Sequence, residues 1–183
     1  NMQIIQSVSL VNEDAYVKVS YTVTNNDASP HKISIVPNCD VQIGGNDSAP
    51  ITPTGTGALM SEGGNGAQFN VIAKNAYGVT DCDVLWFGRY SDRSNHLWAS
   101  EKTTTQATGD TGLNIGWNNR LIPPGQTRTF SFLMGVGKNA APPELVGEIG
   151  AVINPQTVDV SAQVKDVSGA KDTLYYVFDM DTP

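Results

Sequence analysis

The segment from 121 to 137, LIPPGQTRTFSFLMGVG, constrains the fold of this chain more than any other feature. Pro123, Pro124 and Gly125 predict a tight turn, because proline fixes φ and glycine accepts a positive φ. The residues that follow have a period of two, which is typical of a strand with one face on a core. The predicted core-facing residues are Phe130, Phe132, Met134 and Val136.

Comparable strand patterns recur along the chain, and no window keeps an apolar period of 3.6 beyond about two turns. Parallel βαβ folds are therefore not expected. The segments 44–66 and 91–111 are polar and poorly patterned, which predicts long loops. The sequence thus predicts an all-β protein, an antiparallel β-sandwich with long polar loops. Strands are predicted at 2–10, 16–24, 31–36, 68–73, 84–88, 113–117, 127–136, 157–164 and 174–180.

The segment KNAAPP at 138–143 predicts a domain boundary, because two prolines stiffen the chain after a strand that ends in GVG. Residues 1–137 are predicted to form the β-sandwich domain. Residues 138–183 then hold a linker and two strands, which falls short of the ~100 residues of an immunoglobulin-like domain. These strands either complete the first sandwich or start a second Ig-like module.

The charge balance argues against two classes of partner. The chain has 183 residues with 11 Lys+Arg against 18 Asp+Glu, a net charge of −7. An acidic surface repels both nucleic acid and anionic membranes, so neither is an expected partner. No apolar run approaches the ~20 residues that span a bilayer, so no membrane insertion is expected in this segment. The start lacks a secretory signal, so either a signal was never present or the chain is a segment of a longer precursor, and the second is the favoured expectation.

The two cysteines, Cys39 and Cys82, each precede an aspartate near an apolar segment. Two neighbouring strands with such contexts predict one disulfide, and the alternative is two separate buried thiols. Neither cysteine has the spacing of a zinc site.

An unusual group of side chains marks the region from 89 to 98 as a candidate ligand site. An exposed indole stacks on the face of a sugar, while Arg, Asn and Asp side chains hydrogen-bond its hydroxyls. Trp86 and Trp117 lie on predicted strands, which favours positions in the sandwich core. The ligand-binding candidates are Arg89, Arg93, Asn95, His96 and Trp98.

Acidic loop residues allow two further readings. Asp40, Asn46 and Asp47 offer the hard oxygen ligands that calcium prefers, without the spacing of an EF-hand; Asp159, Asp179 and Asp181 are a second such set. Asp40 and Asp83 share a Cys-Asp context and would be the pair to test for a glycosidase-like enzyme. Asp92, Ser94 and His96 lie too close in sequence to converge as a triad. No catalytic residue is predicted.

The segments VSYTVTNNDASPHKISI, DVQIGGNDSAPI, WFG and WNNRLIPPGQTRTFSFLMGVG resemble β-sandwich modules of large secreted or cell-surface proteins. The resemblance covers about residues 10–137 and carries no catalytic residue. It implies an extracellular setting and a non-catalytic role in adhesion or scaffolding, with a glycan or protein ligand at the cell surface. The alternatives are a carbohydrate-binding accessory module and a glycosidase-like enzyme.

Overall fold

The computed structural model describes residues 1–11, 16–63, 66–98 and 109–136, together with the backbone of four short strands beyond residue 143. The chain divides into two compact units, Asn1–Ala140 and Ala141–Pro183. The boundary predicted between residues 137 and 138 lies outside the described residues. Strands make up 59% of the structure and helix 6%, which confirms the all-β class.

Within the described residues, the first unit contains ten strands and one short 3-10 helix. The helix, Tyr90–His96, follows the eighth strand directly. The strands are β1 (Met2–Val11), β2 (Tyr16–Asn25), β3 (His31–Ile35), β4 (Asn38–Asp40), β5 (Ile51–Pro53), β6 (Gly57–Ser61), β7 (Gln68–Ile72), β8 (Val84–Arg89), β9 (Thr111–Ile122) and β10 (Thr127–Val136).

These strands form two antiparallel sheets that pack against each other, as predicted for a β-sandwich. The larger sheet has the order β1-β2-β10-β7-β6-β5. In the smaller sheet β9 is central, and both β4 and β8 pair with Leu113, so they lie on opposite edges of β9. β3 continues the edge that β4 occupies. The predicted turn, with Gly125 at φ 69°, carries the chain from β9 to β10.

The core lies between the sheets and includes Trp117 of β9. The Trp117 indole packs against the rings of Phe130 and Phe132, with centroids 5.6 Å and 6.4 Å away. Its N–H donates to the Thr80 carbonyl at 2.9 Å, so the buried polar end is satisfied. These three aromatic residues are buried, which confirms the core positions predicted for them. Val136 is 74% exposed, so the core-facing stretch of β10 ends before it.

The opposite face of the β2–β10 pair is mostly polar. Leu133 is the apolar exception, and it forms a second small buried cluster with Tyr16 and Ile72. The polar positions face each other across the ladder, which favours this register. Three hydroxyl pairs join the strands: Ser20–Ser131 (2.9 Å), Thr22–Thr129 (3.2 Å) and Thr24–Thr127 (2.9 Å).

A β-bulge in β9 changes which of its residues face the core. The register with β3 shifts around Ser34, where β9 has one residue more than its partner. Asn119 takes φ 52°, and its backbone N–H donates to the Ser34 hydroxyl at 3.0 Å. The core side is held by Trp117 before the bulge and by Ile122 after it. The strand predicted at 113–117 therefore continues to residue 122.

The segment 44–66 is not the long loop that the sequence predicted, because it contains β5 and β6. β6 pairs with β7 over five residues and buries Ala58 and Met60 completely. At Gly57 the strands approach so closely that a Cβ would lie 1.8 Å from the Val71 carbonyl oxygen. Only glycine fits this position.

The second unit contains two antiparallel strand pairs among its described residues. β11 (Glu144–Leu145) pairs with β14 (Val164–Lys165), and β12 (Gly150–Ile153) pairs with β13 (Val158–Ser161). The strand predicted at 157–164 overlaps β13, whereas the one at 174–180 lies outside the described residues. Membership of these strands in an Ig-like module stays a prediction.

Candidate functional site

The 3-10 helix after β8 is fixed to the smaller sheet by one buried amide. Asn114 of β9 is fully buried, and its Nδ2 donates to the carbonyl of Arg93 at 2.8 Å and to that of His96 at 3.1 Å. One side chain thus satisfies two carbonyls near the end of a helix that is too short to satisfy them itself. The segment that leads to Trp98 therefore starts from a fixed position.

Trp86 lies under this helix and not in the sandwich core. It is 4% exposed and stacks on the His96 ring, with centroids 4.6 Å apart and an interplanar angle of 12°. Its neighbour Phe87 is the residue of β8 that joins the main core. Since adjacent residues of a strand point to opposite faces, the prediction that Trp86 is a sandwich-core residue is wrong.

Two of the predicted ligand residues, Arg93 and His96, take part in contacts within the helix or with the strand beneath it. The Arg93 guanidinium lies 3.7 Å from the centroid of the Tyr90 ring, and its Nη1 donates to the Tyr90 carbonyl at 2.9 Å. His96 takes part in the stack on Trp86. These contacts give Arg93 and His96 structural roles.

Trp98 combines a fixed backbone with an open side chain. Asn118 of β9 donates from Nδ2 to the Trp98 carbonyl at 3.0 Å, while the Trp98 residue is 56% exposed. Asn95 and Arg89, also predicted to bind ligand, are exposed as well. The indole is therefore exposed on a residue whose backbone is held by a hydrogen bond.

A charged pair is linked to the Trp98 backbone through Asn118. The Asn118 backbone N–H donates to Asp83 Oδ2 at 2.6 Å, and Arg120 Nη2 donates to Asp83 Oδ1 at 2.9 Å. The side chains of Asp83 and Arg120 are 40% and 32% exposed. We call the surface formed by Trp98, Asn118, Asp83 and Arg120 the Trp98 surface. It combines an exposed indole with hydrogen-bonding groups of both charges.

Asn118 and Asp83 were not among the predicted ligand residues. The alternation of Leu113, Ile115 and Trp117 on the core side indicates that Asn118 leaves the core, but the bulge that follows is not visible in that pattern. Nothing in the sequence indicates that Asp83 meets it.

Three carboxylates converge at the other end of β9. Asp40 ends β4, Asp47 follows in the next loop, and Asp110 immediately precedes β9. Their carboxylate oxygens lie within 4.8 Å of one another. Of the predicted calcium ligands, Asp40 and Asp47 are in this group, which we call the three-Asp cluster. The set of Asp159, Asp179 and Asp181 lies outside the residues with described side chains.

Backbone pairing brings these three residues together. Asp40 lies opposite Gly112, and the next residue, Val41, donates its N–H to the Thr111 carbonyl at 2.9 Å. The Thr111 hydroxyl in turn donates to the Asp47 carbonyl. The predicted ligand Asn46 is used differently, because its Oδ1 accepts the Ser48 N–H at 2.8 Å and closes an Asx turn. Asp110 replaces it in the cluster.

The electrostatics of the cluster are unfavourable for three ionised groups. The pKa of the Asp110 carboxyl is raised, first by local desolvation and then by the charges of Asp40 and Asp47, while Arg93 opposes the effect. Convergent carboxylate oxygens that repel one another are the donor set that hard cations such as calcium take. The geometry therefore fits a cation in chemical terms.

The predicted disulfide is not formed, since both cysteines are free. Cys39 lies opposite Leu113 in β4, whereas the Cys82 N–H donates to the Ala73 carbonyl at 2.9 Å just before β8. These strands flank opposite edges of β9, so they are separated by roughly 10 Å, beyond the ~7 Å between Cα atoms that a disulfide spans. Burial raises the pKa of the Cys82 thiol to about 11. This thiol stays protonated at neutral pH.

The carboxylates of a glycosidase-like site are not brought together. Asp40 lies on the β4 edge of β9, whereas the Asp83 N–H donates to the Gly116 carbonyl at 2.8 Å on the β8 edge. Asp83 is also bound by Arg120. Asp40 and Asp83 thus belong to two different sites.

No protein-family model and no curated protein sequence matches this chain. The likeness to modules of secreted and surface proteins therefore stays a prediction based on the segments that carry it. In the part of the chain that the structure describes, no helix is long and apolar enough to cross a membrane. Function is accordingly argued from the Trp98 surface and the three-Asp cluster.

Proposed function

We propose that this chain is a non-catalytic binding module of a secreted or cell-surface protein, with a role in adhesion or scaffolding. Its ligand is a glycan, bound at the Trp98 surface. The observation that carries the proposal is the 56% exposed Trp98 beside the Asp83–Arg120 pair. The extracellular setting is supported by the resemblance of the strand and turn segments.

The Trp98 surface has the two components that sugar recognition needs. The indole offers a flat apolar face for the C–H side of a pyranose ring, and Asp83 and Arg120 offer an acceptor and donors for hydroxyls. Asn118 fixes the Trp98 backbone next to the charged pair, because its side chain bonds to the Trp98 carbonyl and its own N–H bonds to Asp83. Such preorganisation lowers the entropy lost on binding.

A glycan array with the whole chain tests this proposal. We expect Trp98→Ala to abolish glycan binding, while its melting temperature stays within about 2 °C of wild type, because an exposed side chain adds little stability. Tyr77→Ala is the matched control, since Tyr77 is 53% exposed elsewhere and should leave binding unchanged. A wild-type chain that binds no glycan, or a Trp98→Ala variant that binds normally, would refute the proposal.

The three-Asp cluster supports a second candidate function, a scaffold module that calcium rigidifies. Extracellular modules bind calcium with dissociation constants of about 10⁻⁴–10⁻³ M. We expect calcium to raise the melting temperature of the wild type by neutralising the repulsion among Asp40, Asp47 and Asp110, and to leave Asp110→Asn unaffected. Asp81→Asn removes one charge elsewhere and keeps an oxygen for the Asn75 N–H, so it should respond like wild type. An equal calcium response in Asp110→Asn would contradict this function.

A further inference from the structure

β1 exposes apolar side chains at positions that continue the core face of the larger sheet. Ile4 lies opposite Val23 and Val8 opposite Val19, and both β2 partners are buried in the core. Directly opposite residues of a ladder share a face, so Ile4, Val8 and Leu10 point the same way as the core. They are nevertheless 59%, 64% and 60% exposed. The core face extends beyond the cover of the smaller sheet.

The edge of β1 that faces away from β2, with which no described strand pairs, presents the backbone groups of alternate residues. The Asn26 N–H donates to the Asn1 carbonyl at 2.9 Å, which identifies a hydrogen-bonded pair at the end of the β1–β2 ladder. Because such pairs alternate in antiparallel sheets, the odd-numbered residues of β1 bond to β2. Even-numbered residues direct their N–H and C=O groups to the other edge, where no described strand pairs.

β1 lacks the features that usually protect a free edge. Its sequence, MQIIQSVSLV, contains no charge, proline or glycine, although the chain has a net charge of −7. Its ladder with β2 runs through ten residue pairs without a register shift. Natural edge strands are commonly short, bulged or charged, so a long neutral edge favours pairing with another strand.

We propose that β1 pairs in antiparallel orientation with β1 of a second copy of this chain, about a two-fold axis beside Gln6. In this register Gln6 faces its own counterpart, Ile4 faces Val8 of the partner subunit, and Met2 faces Leu10 of the partner subunit. In this register each even-numbered residue lies opposite an even-numbered residue of the partner subunit and forms a hydrogen-bonded pair with it. Every outward N–H of β1 therefore has a carbonyl acceptor. A shift by one residue would lose this match and place the apolar sets on opposite faces.

The neutrality of β1 favours a second copy as the occupant. A two-fold axis places each strand against itself, so any charge near the axis would meet an equal charge. Each exposed Ile4 or Val8 instead gains an apolar neighbour. The two six-stranded sheets join into one continuous sheet. Because the contact is isologous and uses the edge on both sides, it closes at the dimer.

Sedimentation of the whole chain over a range of concentrations tests the proposal. We expect a species of twice the 19.5 kDa chain mass at high concentration. Val8→Pro removes an outward N–H and leaves the bonds to β2, so it should raise the dimer dissociation constant by about 30-fold through two lost hydrogen bonds. A wild-type chain that stays monomeric at all concentrations would overturn the proposal. It would also be overturned if hydrogen exchange showed the β1 amides of such a monomer to be protected, because another segment of the same chain would then occupy the edge.

A charge exchange at Gln6 tests the register without proline. Gln6→Lys and Gln6→Glu should each dissociate several-fold more readily, because like charges meet at the axis, and their equimolar mixture should recover the dimer. Gln3→Lys is the control, since Gln3 bonds toward β2 and would face Ser9 of the partner subunit, so it should dimerise as wild type does. A mixture no more dimeric than either variant would refute the register.

Discussion

At the scale of single residues, burial determines which side chains of β10 stabilise the fold. Phe132 is 4% exposed and packs on Trp117, so Phe132→Ala should cost about 3–5 kcal/mol of unfolding free energy through lost burial and the cavity left behind. Val136→Ala is the control on the same strand, with a cost below about 0.5 kcal/mol because Val136 is exposed. Denaturant melts measure both. A loss below about 1 kcal/mol for Phe132→Ala would contradict the packing described above.

The core residues of β10 were predictable because their burial follows from local alternation. Phe130 and Phe132 needed only the period of two and the turn that precedes them. The side chains near Trp98 depend on contacts between distant residues, so Asn118 and Asp83 were not predicted as ligand residues. Trp86 was assigned to the wrong face, because a run of apolar residues in β8 does not reveal that a helix covers its outer side.

At the scale of elements, long alternating strands were predictable and short or irregular ones were not. β10 has the predicted bounds, 127–136. β5 and β6 were missed, since they have only three and five residues and lie in a segment, 44–66, that is rich in Gly, Pro and Thr, the residues that form loops. Their pairing with β7 overrides this local preference.

β9 shows how one irregularity limits a prediction. Its core positions are odd-numbered up to Trp117, and the next core position is Ile122. The bulge at Asn119 causes this change from odd-numbered to even-numbered core positions. A prediction that relies on a constant period of two therefore ends the strand at Trp117, where that period is interrupted. The same strand gives Asn114 to the helix and Asn118 to the Trp98 surface. β9 therefore positions the candidate site from the centre of the smaller sheet.

At the scale of the whole molecule, the acidic balance and the sheet edges give the chain its interaction surfaces. The net charge of −7 includes three aspartates that the β4–β9 pairing brings together. The neutral β1 lies at the edge of the larger sheet. Composition predicted the acidity, but the place where charge concentrates depends on the register between β4 and β9, which no local pattern determines.

Concentrated charge also gives the fold a defined dependence on pH. The pKa of Asp110 is higher in the folded chain than its ordinary value, so folding is favoured while this group is protonated, and that stability is lost as pH rises through the folded pKa. Asp110→Asn cannot ionise and should not lose it. The variant should therefore gain stability over wild type as pH rises through the pKa of Asp110, with little difference at acid pH, where Asp110 is protonated in both the folded and the unfolded chain.

Denaturant melts of both chains in calcium-free buffer measure this difference. The variant is expected to be more stable than wild type, and not less, because desolvation and the charges of Asp40 and Asp47 disfavour only the ionised form of Asp110. Asp47→Asn provides a check, because it removes one of those charges. Adding Asp110→Asn to the Asp47→Asn variant should therefore raise its stability by less than adding Asp110→Asn to wild type does. A stability difference that stays constant with pH, or that favours wild type at neutral pH, would show that the three carboxylates do not repel one another in the folded chain.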